Sequence, residues 1–323
     1  MLSFSMSEVC MVAGFLLSAY AIVANDAIQT LGTFIAANRQ RPWWQLWLFA
    51  SGILTVVLVY GWITNGGDPA YGRLERFPYQ EGSYSLLHVI PPIALLILTR
   101  AGYPVSTTFL ILTFFSAKAL KPMVIKSLCG YVLALGAGYL LFLLIRRYAK
   151  RLFEPRAAGE EESRGWLVFQ WLSTGFLWTQ WLIQDLANVF VYLPHHPERL
   201  PVEWLIFGLL AMSIMQIFIF RAGGGKIQEI VDQKSNSEDV RQAALINLCY
   251  GAVILFFKEY SKLPMSTTWV FLGLLAGREL AITSLNAETR GAVLRKLGED
   301  LRRATIGLLV SAALAIGLPW LFS

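Results

Sequence analysis

Charge is scarce in this sequence. Only 15% of its 323 residues are Asp, Glu, Lys or Arg, against roughly 25% in soluble domains. With 56% hydrophobic residues and a positive mean hydropathy, that shortage excludes a water-soluble globular domain. Cysteine is rarer still. Cys10, Cys129 and Cys249 lie far apart, each within an apolar stretch, with neither the spacing of a metal site nor a redox pair, and they read as small buried hydrophobes. His195 and His196 adjoin in the Pro-rich turn Pro194–Pro201 without a carboxylate pair beside them, so they do not read as zinc ligands. The net charge of +6 marks no nucleic-acid partner, because the basic residues form no face with interleaved aromatics. They gather in the connections between apolar segments, where Lys and Arg fix orientation in a bilayer. The first seven residues hold no Lys or Arg, so Val9–Ala24 lacks the charged start of a cleavable signal peptide and is expected in the mature chain.

What the sequence has in quantity is long apolar runs. Leu46–Trp62, Leu128–Ile145, Leu205–Phe220 and Thr305–Phe322 approach or exceed the roughly 18 residues that read as a membrane-spanning helix. The fold expected is an all-α, multi-pass membrane protein in a bilayer.

The chain is also written twice. Asn25-Asp26-Ala27-Ile28-Gln29 is echoed by Gln184-Asp185-Leu186-Ala187-Asn188, and Pro104-Val105-Ser106-Thr107-Thr108 by Pro264-Met265-Ser266-Thr267-Thr268. The aspartates (26 to 185) stand 159 positions apart and the serines (106 to 266) 160. Two patterns repeating in the same order at nearly one step indicate an internal duplication. The expected division is a first repeat over 1–145, a charged cytoplasmic linker over 146–165 and a second repeat over 166–323.

Topology follows from the charged connections. Arg146–Arg164, Arg221–Arg241 and Arg290–Arg303 are placed inside by their Lys and Arg content. Trp166–Tyr192, Val202–Phe220 and Thr305–Phe322 are then crossings of the second half. Gln242–Gly277 is interrupted by Lys258–Pro264 and reads as a re-entrant hairpin of two half-helices, since irregular backbone at membrane depth must face protein or a watery cavity. The first half mirrors this with Val9–Ala24, Trp44–Thr64, a hairpin Tyr84–Ala119 broken at Arg100–Pro104, and Leu128–Ile145. Three crossings and one hairpin per half invert the second repeat and place both termini outside. Inverted repeats with broken helices are typical of secondary transporters.

The repeated motifs supply the chemistry. Asp26 and Asp185 lie in apolar surroundings, where an ionised side chain costs about 2.5–3.5 kcal/mol on the mildest scale and persists for a functional reason. Asn25, Gln29, Gln184 and Asn188 flank them with neutral oxygens, a set that suits Na+, while the carboxylates alone suit H+. Each Pro-x-Ser-Thr-Thr run follows a break and opens an apolar segment, so its proline is expected in a first helical turn. The hydroxyls of Ser106, Thr107, Thr108, Ser266, Thr267 and Thr268, beside helix N-termini, make an anion site. Neither run contains Arg or Lys, so the anion is expected to be neutralised by co-bound cations and helix dipoles. Lys118 and Arg278 follow the two runs at equal distance and read either as interfacial anchors or as gates.

These residues resemble the inorganic phosphate transporter family of sodium- or proton-coupled permeases. Val23-Ala24-Asn25-Asp26 through Leu31-Gly32-Thr33 is similar to its first signature. Gly102-Tyr103-Pro104-Val105-Ser106-Thr107-Thr108 and Leu263-Pro264-Met265-Ser266-Thr267-Thr268 are similar to its second, and Gly223-Gly224-Gly225-Lys226-Ile227 to its basic cytoplasmic segment. The resemblance implies an inverted-repeat symporter of the cell's inner (plasma) membrane. It implies phosphate held between the hairpins by the two Ser-Thr-Thr runs, and Na+ held at Asn25, Asp26, Asp185 and Asn188. No cofactor beyond the coupling ion is implied, and a homodimer stays open. The chain departs from the family at Gln29, Gln184, Val191, Phe109 and Trp269, the last two standing where the family has His. Sulfate or a related oxyanion is the alternative cargo. A membrane enzyme of lipid phosphates and a non-transporting scaffold are the rival classes; the enzyme lacks a buried acid/base cluster and a cationic phosphate clamp near the Ser-Thr-Thr runs.

Overall fold

The computed structural model describes residues 5–77, 79, 81–101, 105–148, 163–195, 199–224, 228, 239–283 and 287–321. Among them every regular element is helical. Helix α1 (Met6–Ala21) opens on a capping box: the Glu8 amide donates to Ser5 Oγ at 3.2 Å and the Ser5 amide to Glu8 Oε2 at 2.7 Å, which satisfies otherwise orphaned donors of the first turn. It continues through a π-turn, Ile22–Asp26, into α2 (Ala27–Ala37). The expected segment Val9–Ala24 is therefore part of a 32-residue rod, Met6–Ala37. The extra residue of a π-turn widens the helix locally, a device frequent at functional sites, and here it falls on Asn25 and Asp26.

Helix α3 (Trp43–Thr64) follows, then a connection containing the short 3-10 turn Leu74–Arg76. Helix α4 (Ile90–Arg100) carries Pro91 and Pro92 in its first turn, where a missing N–H costs nothing. After a break, a second π-turn, Thr108–Leu112, leads into the single turn α5 (Thr113–Phe115). Helix α6 spans Leu120–Tyr148, α7 Arg164–Asp185, the short α8 Ala187–Phe190 and α9 Val202–Arg221. Helices α10 (Val240–Tyr260) and α11 (Thr267–Thr283) flank the second break, and α12 (Ala287–Leu321) closes the chain. Among the described residues, five helical segments are long and apolar enough to cross a membrane: Met6–Ala37, Trp43–Thr64, Ala117–Ile145, Val202–Arg221 and Val240–Tyr260.

Three expectations change. The arms of the second broken pair are unequal: α10 has 21 residues, about 31 Å, the length of a full crossing rather than a half-helix. The stretch Arg290–Arg303, read as a connection, is the helical start of the 35-residue α12; its Ala, Leu, Arg, Lys and Glu are strong helix formers, and charge alone does not separate a solvated helix from a loop. Pro264 stands in the break before the Ser266 cap and not in the first turn of α11. Most of the expected linker 146–165, together with Pro104, His196 and Gly225–Ile227, lies outside the described residues.

The helices pack in a reciprocal order. The first helix of each half lies on the first arm of its own broken pair, α1 on α4 and α7 on α10, while α3 and α9 pack together. The last helix of each half reaches across: α6 packs along α11, and α12 along Thr108–Leu112 and α5. The α6–α11 contact is backbone to backbone. A Cβ at Gly277 would sit 2.0 Å from the Leu135 carbonyl oxygen, one at Gly273 2.3 Å from that of Tyr131, and one at Gly138 2.5 Å from that of Leu274. Small residues permit this approach where no hydrophobic effect drives helices together. Polar side chains add cross-links: Thr33 Oγ1 donates to Asn247 Oδ1 at 2.7 Å, and Asn247 Nδ2 donates to Thr174 Oγ1 at 2.9 Å. Together they join α2, α10 and α7.

Replacing Gly277 by Ala forces α6 and α11 apart and is expected to cost about 1–3 kcal/mol, the range for overpacking a well-fitted contact. The readout is the thermal unfolding midpoint of the detergent-solubilised protein. Gly298→Ala, whose Cβ would meet nothing within 4 Å, is the control and should hold or slightly raise the midpoint.

Candidate functional site

Both aspartates of the repeated motif are buried, and the first Ser-Thr-Thr run reaches both. Asp26, at the end of the π-turn, accepts from Asn25 Nδ2 at 2.7 Å and from the Thr107 hydroxyl. Its backbone carbonyl accepts from Thr30 Oγ1 at 3.1 Å. Gln29, half-buried, donates to Asn25 Oδ1 at 3.3 Å and so sits one bond further from the carboxylate. Asp185 ends α7, where the helix breaks at Leu186 before α8. Its Oδ1 accepts from Asn188 Nδ2 at 2.8 Å and from Thr108 Oγ1 at 3.3 Å, and Asn188 Nδ2 also reaches the Thr108 hydroxyl at 3.1 Å. Thr108 Oγ1 lies 3.3 Å from the Met265 carbonyl as well. Adjacent threonines of one motif thus hold carboxylates from opposite halves of the chain.

The second run is built alike. Ser266 Oγ accepts from the Trp269 amide at 3.2 Å, as Ser106 Oγ accepts from the Phe109 amide at 3.3 Å; each serine caps its helix. Thr267 faces the Asp185 carboxylate, and Asp26 and Asp185 are close enough to act on each other electrostatically. Thr268 is buried in the same region. The break itself is held by α6: Ser127 Oγ accepts from the Ser266 amide at 2.8 Å, and Lys126 Nζ donates to the Ser261 and Leu263 carbonyls at 3.0 and 2.6 Å.

Arg73 is the buried charged neighbour of the site that sequence reasoning missed. It lies in the polar connection between α3 and α4, yet it is 2% exposed. Its Nη2 donates to Gln184 Oε1 at 3.1 Å and its Nη1 to the Ala70 carbonyl at 3.3 Å. Burial pushes its guanidinium down to about 10, with Asp68, Asp185 and Glu259 opposing that shift, so it remains a cation at neutral pH. The backbone leading to it is strained: Tyr71 adopts a φ of 59° and Gly72 one of 77°, and a left-handed conformation at a bulky residue is a genuine outlier. The Tyr71 hydroxyl, bonded to the Val57 carbonyl at 2.9 Å, anchors that turn. The only sequence signal was Gly72.

Four buried side-chain atoms here find no hydrogen-bond partner: Arg73 Nε, Gln184 Nε2, Asp185 Oδ2 and Asn188 Oδ1. Each such atom costs about 1–3 kcal/mol, and these four fall on side chains that adjoin or bond one another. They divide into two donors and two acceptors.

The other expected residues fall as follows. Gln184 is turned by Arg73: its carbonyl oxygen is engaged, so it presents a donor where a cation ligand was expected. Phe109 and Trp269 pack edge to face, with centroids 5.7 Å apart at 84°, and join the two motif helices. Val191 is buried, its carbonyl accepting from the Tyr84 hydroxyl at 3.1 Å. Lys118 is exposed, as an anchor would be. Arg278 is buried, paired with Glu279 at 2.7 Å, 3.4 Å from Gln242 Oε1 and over the Phe142 ring, so it packs within the bundle and not on its surface. His195 is buried with Nε2 2.7 Å from the Phe77 carbonyl, and no group of three or more metal-ligating His, Cys, Asp or Glu side chains occurs among the described residues.

Fold and site together define a multi-pass helical membrane protein in which two broken helices close over a buried carboxylate pair. Among solved structures, one described as "The sodium-dependent phosphate transporter" has the same fold, with a TM-score of 0.63 over 99% of both chains at 17% identity. At that identity the likeness is one of fold. No protein-family model and no curated protein matches the chain.

Thr108→Val removes the hydroxyl that ties Asp185, Asn188 and the Met265 carbonyl together. It is expected to destabilise the protein by about 1–3 kcal/mol, because buried partners are left unpaired. Thr305→Val, which removes only an exposed bond to Leu301, should leave the same thermal midpoint in place.

Proposed function

We propose that the protein is a secondary active transporter of inorganic phosphate or a closely related tetrahedral oxyanion, driven by Na+ or, failing that, H+. One observation carries the proposal: the hydroxyls of Thr107 and Thr108 are hydrogen-bonded to Asp26 and Asp185. A carboxylate that takes up a cation no longer needs those hydroxyls, which become free to donate to an anion. Cation and anion binding then share the same donors, and a shared contact is what gives two ligands a coupling free energy. Asn25, Asp26, Asp185 and Asn188 form the cation set, with Gln29 behind Asn25; the unpartnered Asp185 Oδ2 and Asn188 Oδ1 are oxygens of the kind a hard cation takes. The two Ser-Thr-Thr runs, at capped helix N-termini, form the anion side.

The matching order of elements in the two halves supports two inverted repeats, 1–145 and 166–323, joined by a linker over 146–165. In this scheme the broken pairs α4–α5 and α10–α11 are the moving or gating parts, the chain lies in the inner (plasma) membrane and both termini face outside. The fold shared with a structure described as a sodium-dependent phosphate transporter supports the transporter reading in general.

The test is uptake of labelled phosphate into proteoliposomes with and without an inward Na+ gradient, with unlabelled sulfate as competitor. Sodium-stimulated uptake that sulfate does not suppress is expected. The double variant Asp26→Asn/Asp185→Asn is expected to fall to the level of protein-free vesicles. Ion-dependent uptake that survives in the double variant would sink the assignment of the cation set, and no uptake of labelled phosphate or labelled sulfate under either a sodium or a proton gradient would sink transport itself.

A further inference from the structure

We infer that Arg73 and Gln184 form a two-donor clamp that binds the oxyanion directly, so that a fixed guanidinium supplies charge neutralisation that the Ser-Thr-Thr runs lack. The inference rests on the transporter reading and adds to it the residues that recognise the anion.

Four observations converge on this pair. Arg73 and Gln184 are almost fully buried, at 2% and 0% exposure, and hydrogen-bonded to each other. Each retains one donor with no partner, Nε on the guanidinium and Nε2 on the amide. Arg73 acts electrostatically on Asp185, so the pair lies at the carboxylate cluster and not in a separate pocket. The connection that delivers Arg73 takes a left-handed turn at Tyr71, a conformation that persists only where its surroundings demand it.

The alternative is a purely structural arginine. Such a residue usually has its donors satisfied, because a buried charge is retained by full pairing. Arg73 has no ion pair within bonding distance among the described residues, and its partners are a neutral amide and a backbone carbonyl. A guanidinium and an amide joined to each other, each keeping a donor atom without a partner, are groups of the kind that bind a tetrahedral oxyanion. The neutral partner matters: a carboxylate at position 184 would consume the charge.

The test uses the full-length chain in detergent, with labelled inorganic phosphate as probe at fixed high sodium. Arg73→Gln removes the charge. Gln184→Glu leaves the guanidinium in place but gives it a carboxylate partner, so the turn keeps its anchor while the clamp loses its charge and its amide donor. Both variants are expected to bind phosphate about tenfold or more weakly, the worth of one charge-assisted hydrogen bond. Sodium binding should survive, with a half-saturating sodium concentration for uptake in proteoliposomes that holds or falls at saturating phosphate, because both changes make the surroundings of Asp185 more negative; a merely misfolded protein would lose phosphate and sodium binding alike. If Arg73→Gln does not fold, judged by its size-exclusion profile, Gln184→Glu decides alone. Unchanged phosphate affinity in either folded variant overturns the clamp and leaves the transporter reading standing. An unaltered protein that binds neither labelled phosphate nor labelled sulfate overturns both.

Discussion

At Ser261–Ser266 the chain stops being helical inside an apolar bundle, and its carbonyls and amides must find partners there because lipid offers none. Lys126 and Ser127, adjacent on α6, answer most of that need by taking the Ser261 and Leu263 carbonyls and the Ser266 amide. Much else depends on this repair. It fixes where α11 begins, holds the second Ser-Thr-Thr run against α6, and brings the Met265 carbonyl to Thr108. The glycine contacts between α6 and α11 serve the same end, since only a backbone-to-backbone approach lets short side chains on one helix reach the broken chain of the other. The Phe109–Trp269 contact then ties the repaired break to the first one.

Within that frame the balance of charge is uneven. Two carboxylates, Asp26 and Asp185, share a buried neighbourhood with one guanidinium, Arg73. With the carboxylates ionised, such a site carries an excess of negative charge and repels an anion until a cation or proton corrects it. In the transport scheme proposed above, this electrostatics places the cation before the anion. The amides of Asn25 and Asn188 keep both carboxylates hydrogen-bonded in the meantime.

The parts of the site that stood out in the sequence were chemical exceptions to their surroundings. Asp26, Asp185 and the two Ser-Thr-Thr runs were visible because carboxylates and clustered hydroxyls are rare in apolar segments, and because each appeared twice. Arg73 had no such contrast: an arginine in a polar connection is ordinary, and its burial depends on a left-handed turn that residue types alone do not announce. Gln184 was seen as an oxygen ligand, but which end of an amide faces a site depends on its neighbour, and that neighbour was Arg73. The helical segments were legible from hydropathy, while their ends were not. The charged start of α12 suggested a connection by its charge although its residues favour a helix, and the continuation of α1 through Asn25 and Asp26 into α2 depends on a π-turn that no spacing rule marks. The cross-link of Thr33, Asn247 and Thr174 also went unread, because three isolated polar residues on three helices meet only after packing.

The glycine contact between α6 and α11 carries one more consequence. With Gly277 and Gly273 laid against the carbonyls of Leu135 and Tyr131, the two backbones touch at those positions and leave no room there for a side chain between them. In the transport scheme proposed above, ions and cargo are therefore expected to pass on another face of α11.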